Sequence, residues 1–100
     1  MVRHIVVWKF RDFAEGATRA ENLKRAKALL KMLKGRIPAI RRFEVGIDVS
    51  QSDQSYDLVL NSEFADTRSL EEYRVHPDHL RVVEFLRKVH EGRVVVDYLV

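Results

Sequence analysis

The segment EEYRVHPDHLRVVEFLRKVH, Glu71 to His90, holds three of the four histidines in a chain of 100 residues. Imidazole titrates at about 6.5, so each is a candidate acid, base or ligand at physiological pH. His76, Asp78 and His79 sit close enough in sequence to share an ion. Zinc, however, takes three or four protein ligands, and the local set offers two imidazoles and one carboxylate. Asp78 serves equally well as an acidic residue at a helix start. No metal is expected. Pro77 disfavours helical backbone at His76 and suits the first position of a new helix, so His76 reads as a cap or hinge. His90, near the end of the second helix, is explained by attraction to the carboxyl end of the dipole.

The elements that must position these residues follow from periodicity. VRHIVVWKF reads as a first strand with apolar residues on both faces. TRAENLKRAKALLKMLKG reads as a helix. Thr18 and Glu21 form a capping-box pattern, Leu23, Ala26, Leu30 and Leu33 make the apolar stripe, and Gly35 offers a left-handed stop. Arg19, Lys24, Arg25, Lys27, Lys31 and Lys34 lie mostly off that stripe and read as a solvated face. RRFEVGIDV alternates, with Phe43, Val45, Ile47 and Val49 on one side and Glu44 and Asp48 on the other. After the polar loop SQSDQS, YDLVLNSEF returns as a third strand with Tyr56, Leu58, Leu60, Ser62 and Phe64 on one side. Asp66 or Thr67 caps a short helix carrying Leu70 and Tyr73. The helix after Pro77 takes Leu80, Val83, Leu86 and Val89 as its stripe and closes at Gly92, before a last strand, RVVVDYLV.

The order predicts an α+β fold in one domain, residues 1–100: a split β-α-β arrangement with a four-stranded antiparallel sheet and helices on one face. Three strands are apolar on both sides, yet the helices cover only one. An uncovered face of several hundred Å² marks an interface. The pattern therefore predicts a homodimer whose two sheets close into a barrel around a shared hollow.

Composition excludes several classes. Cysteine is absent, which removes disulfides, thiolate metal sites and thiol catalysis. Net charge is +3, and no aromatic-rich basic motif accompanies it, so nucleic acid is not an expected partner. The first apolar run, Ile5 to Trp8, is too short for a signal peptide or a membrane span. A cytoplasmic protein with no membrane partner is expected.

RHIVVWKF, IPAIRRFEVGIDVS, YDLVLNSEF, LEEYRVHPDHLRVVEFL and the terminal VVVDY together resemble the stress-responsive dimeric α/β-barrel (Dabb) family. The resemblance implies a ferredoxin-like monomer, with strands and helices in the order βαββ(α)αβ, that dimerises into an α/β barrel. It also implies kinship with plant polyketide cyclases, in which a tyrosine and a histidine of a Y-x-x-H-P-x-H segment act as an acid–base pair. By position these are Tyr73 and His79. His4, Val6, Trp8 and Phe10, continued by Leu58 and Leu60, would face a pocket between helices and sheet that takes a small hydrophobic carbonyl compound. His79 lies near a helix start, where the dipole favours the neutral, basic form. Tyr73 could hold a carbonyl oxygen or an enolate by hydrogen bonding. The two lie six residues apart, so their meeting depends on the bend at Pro77.

Three readings follow. The first is a cofactor-independent cyclase, isomerase or lyase working through His79 and Tyr73. The second is a non-catalytic stress-associated or assembly protein whose barrel is packed by its own rings, Trp8, Phe10 and Phe64. The third is a monooxygenase of the dimeric α/β-barrel kind, for which no haem ligand is evident.

Overall fold

The computed structural model describes residues 1–100. Its central strand is β1 (Val2–Phe10), which alternates between two apolar surfaces. Val2, His4, Val6, Trp8 and Phe10 are buried beneath the helices, while Ile5 and Val7 point the other way. Two short strands, β2 (Phe13–Ala14) and β3 (Ala17–Thr18), form a tight hairpin. At its turn Glu15 and Gly16 both have positive φ, 52° and 73°, as a two-residue hairpin requires. The sequence reading passed over this hairpin, because its strands are too short to show alternation.

Helix α1 (Arg19–Leu33) carries the expected capping box, Thr18 and Glu21 satisfying each other's end of the first turn. Leu23, Ala26, Leu30 and Leu33 are all buried, as their spacing requires. The expected stop at Gly35 is corrected. Lys34 keeps helical angles and the Leu33 carbonyl accepts from both Arg36 and Ile37, so the helix tapers through a turn with no left-handed glycine.

Strand β4 (Ile40–Ile47) follows, then β5 (Leu58–Phe64). Both are shorter than the alternation predicted. Val49 and Tyr56 fall in the connecting loop and are exposed, because the chain leaves the sheet at Asp48 and rejoins it where Asp57 bonds to β1. Helix α2 (Thr67–Val75) is capped by Asp66, whose carboxylate accepts from the Ser69 amide. Helix α3 (Pro77–Val89) starts two residues after α2 ends, and β6 (His90–Leu99) follows without a loop.

Two expectations at this end are corrected. Gly92 lies inside β6 rather than closing α3, because β6 begins pairing at His90 opposite Phe10. The buried stripe of α3 is Val82, Leu86 and Val89, while Leu80 is half exposed at 51%. Packing against the sheet selects the face that turns position 82 inward.

All pairings in the main sheet are antiparallel, in the order β4-β5-β1-β6, with the three helices covering one face. This is the ferredoxin-like α+β fold that the element order implies. The core lies between helices and sheet. Each fully buried aliphatic or aromatic side chain there contributes about 1.5–3 kcal/mol. On the far face, Ile5, Val7 and Val59 lie beside Val94 and Val96, the last two 50% and 58% exposed. No helix is long and apolar enough to cross a membrane.

Candidate functional site

His76 serves two helices at once. Its amide donates to the Tyr73 carbonyl and ends α2, and its ring Nδ1 accepts from the Asp78 amide and begins α3. The backbone is extended there, ψ 133°, as a residue before proline prefers. The corner brings together two side chains that one helix would hold apart. The Tyr73 and His79 rings lie with centroids 4.2 Å apart and planes inclined by 38°.

Tyr73 is the hub. His4 of β1 meets it edge-on at 6.1 Å and Phe43 of β4 edge-on at 5.8 Å, while Phe64 of β5 lies tilted at 5.1 Å. These residues come from three adjacent strands because His4, Ser62 and Phe43 are paired in register across the sheet. Burial drives the Tyr73 phenol well above its ordinary value, and no hydrogen bond of the chain reaches its hydroxyl. Tyr73 is therefore a neutral O–H donor with its proton unspent, suited to an oxygen that gains charge.

The two histidines beside it are held in defined tautomers. The His79 Nδ1 lies 3.0 Å from the Arg74 carbonyl, which can only accept. Nδ1 therefore carries the proton, and Nε2 keeps a lone pair. Burial lowers the His79 pKa, opposed by that hydrogen bond and aided by the nearby charges of His4, Arg93 and Arg74. His4 donates Nδ1–H to Asp97 at 2.5 Å. That contact favours the imidazolium, but the His4 side chain is only 4% exposed and desolvation outweighs it, so its pKa is lowered as well. Both rings are neutral bases at physiological pH.

The remaining expected pocket residues are placed differently from one another. Val6, Leu58 and Leu60 are packed in the core beneath the helices. Trp8 is also buried and borders a cleft of about 270 Å³ beside α3. A larger cleft of about 500 Å³ is polar, lined by residues such as Asp12, Arg19 and Asp57 near the β4–β5 loop. It contains none of the expected residues. Nor does the group around Tyr73 adjoin the sheet face opposite the helices. His4, Tyr73 and His79 all lie on the helix side of β1. No three His, Asp or Glu side chains converge as metal ligands.

Sequence reasoning missed Asp97. Its signal was present: with β1 and β6 antiparallel, Asp97 falls opposite His4 and on the same face. Phe43 and Phe64 were legible as inward-facing strand residues but not as walls of this site.

The lowered histidines carry a pH signature. A buried base whose folded pKa lies below its unfolded value of 6.5 binds its proton more readily in the unfolded chain. Its stabilising contribution is complete above 6.5 and disappears as pH falls through the folded value. Thermal melts of His79→Gln should therefore lose less stability than wild type between neutral and mildly acidic pH. An equal loss in both would show that His79 is not held in a neutral form.

Comparison with known proteins agrees with the fold. A family model described as the stress responsive A/B barrel domain (Dabb) matches residues 2–100. Olivetolic acid cyclase of Cannabis sativa is 27% identical over 99 residues, covering 97% of this chain and 94% of that one. A dimeric ferredoxin-like protein of unknown function from Bacteroides fragilis superposes with a TM-score of 0.83 at 29% identity, over 97% of this chain and 93% of the other. The hydroxynitrile lyase of Passiflora edulis superposes at 0.79 with 19% identity, over 99% and 92% of the two chains, a likeness of fold alone. Matched along almost its whole length, the chain belongs to the stress-responsive A/B barrel (Dabb) family.

Proposed function

We propose that this protein is a homodimer that binds a small hydrophobic carbonyl compound on the helix side of its sheet. There it moves a proton without a cofactor, in cyclase, isomerase or lyase chemistry. The observation that carries this reading is the close pair of tilted rings: a neutral His79 with Nε2 free, its ring centroid 4.2 Å from that of an undissociated Tyr73. In this scheme His79 Nε2 takes a proton from carbon next to the carbonyl. Tyr73 O–H donates to the carbonyl oxygen as it becomes an enolate, and the imidazolium then returns its proton to carbon or to a leaving group. His4, fixed by Asp97, supports Tyr73 from the sheet side. The name of the Cannabis sativa relative, a cyclase, is consistent with such chemistry.

The test is hydrogen–deuterium exchange at carbon next to the carbonyl, followed by NMR over a panel of methyl ketones and β-keto acids. Wild type should accelerate exchange. His79→Ala should lower the rate by roughly 10²–10⁴-fold, and Tyr73→Phe by roughly 10²–10³-fold. Equal rates in wild type and His79→Ala would refute the acid–base role. The tight packing of Val6, Leu58 and Leu60 favours the second reading, a non-catalytic protein with a filled interior. Wild type with no acceleration on any member of the panel would support it.

The dimer reading rests on the uncovered face. Ile5, Val7, Val59, Val94 and Val96 form an apolar strip on adjacent strands, flanked by the Arg3–Glu63 ion pair. Water-facing valines in a row are an interface signature, and the Bacteroides fragilis relative is described as dimeric. In light scattering at micromolar concentration, wild type should run as a dimer and Val96→Asp as a folded monomer. A monomeric wild type would contradict the pairing.

A further inference from the structure

The site continues along the seam between α3 and β6. His79, Val83 and Leu86 follow one another on one face of α3, three or four residues apart, and His90 caps its end. On β6, Asp97 and Arg93 project to the same side of the sheet, because Asp97 is in register with His4 and Arg93 with Trp8. The cleft of about 270 Å³ lies in this seam, lined by Trp8, Val83, Leu86, Arg87, His90 and Arg93. It has an aromatic and aliphatic wall, two arginines, and no carboxylate.

The arginines differ in how far they are already engaged. Arg74, beside the histidine–tyrosine group, is tied to Asp97 and Glu71. Arg87 reaches Glu84 only at 4.0 Å. Arg93 takes part in none of the chain's ion pairs. Its register opposite Trp8 sets it on the helix side of the sheet, on β6 four residues before Asp97, where it lines the cleft.

We infer that the compound bound here is a small carboxylic acid, its carboxylate held by Arg93 with Arg87 as a second cation and its apolar body against Trp8 and Val83. A guanidinium offers two parallel N–H donors that match a carboxylate and give orientation as well as affinity. The volume is just below the roughly 300–1,000 Å³ of pockets for drug-sized ligands, so the molecule is about one ring or a short chain. Neither Tyr73 nor His79 lines this cleft, so an acid that reaches them extends along the seam from Arg93 past Trp8 and Val83. The inference thus rests on the acid–base reading and supplies its substrate class.

Calorimetric titration with benzoate and phenylacetate, against benzamide and phenylacetamide as neutral isosteres, tests it. In wild type the acids should bind roughly tenfold or more tightly than the amides. The preference should collapse in Arg93→Gln, persist partly in Arg93→Lys, and survive in His79→Ala. Arg93 is exposed, so these substitutions leave the core intact. Acids and amides binding equally, no saturable acid binding at millimolar concentration, or a preference that survives Arg93→Gln would each overturn the inference. The two readings fail separately. Acid binding that depends on Arg93, with no His79-dependent proton exchange, removes the chemistry alone. His79-dependent exchange on neutral ketones, with no preference for acids, removes the anion site alone.

Discussion

The geometry of this protein turns on one residue shared by two helices. Had α2 run on past His76, Tyr73 and His79 would sit six positions apart on one helix and point away from each other. Proline cannot donate the hydrogen bond that would continue α2, and it forces His76 into extended backbone. His76 then closes one helix with its amide and opens the next with its ring. The break is thus capped on both sides, and the cost of interrupting a helix is offset by hydrogen bonds of about 1 kcal/mol each. From that corner Tyr73 drops onto the sheet and His79 folds back over it.

The two faces of the sheet carry different sets of residues. Even-numbered residues of β1 face the helices and contribute His4 to the reactive group, while odd-numbered residues build the apolar strip on the other side. An association of two copies would leave His4, Tyr73 and His79 untouched, because β1 lies between the interface and the site. Alternation along one strand is therefore enough to keep the proposed interface and the proposed site apart.

Much of this was legible in the sequence. The capping box at Thr18 and Glu21, the proline corner and the antiparallel order all rest on local chemistry, and they appear as read. Errors arose where a helix or strand ends. Gly35 and Gly92 looked like helix stops because glycine permits a left-handed turn, but permission is not a requirement, and strand pairing or a tapering turn ended those helices instead. The stripe of α3 was misplaced because a helix of thirteen residues with six apolar side chains offers two plausible faces, and only packing on the sheet selects between them. Asp97 was missed for a different reason. Its role depends on cross-strand register with His4, which periodicity within one strand does not reveal.

The proton chemistry proposed for the site requires His79 to be a neutral base with its lone pair on Nε2. Nitrogen-15 NMR of the protein with labelled histidine reads this directly, from the chemical shifts of the two ring nitrogens at neutral pH. The account predicts a protonated, pyrrole-like Nδ1 and an unprotonated, pyridine-like Nε2 for His79. An inverted pair of shifts, or two protonated nitrogens, would contradict it.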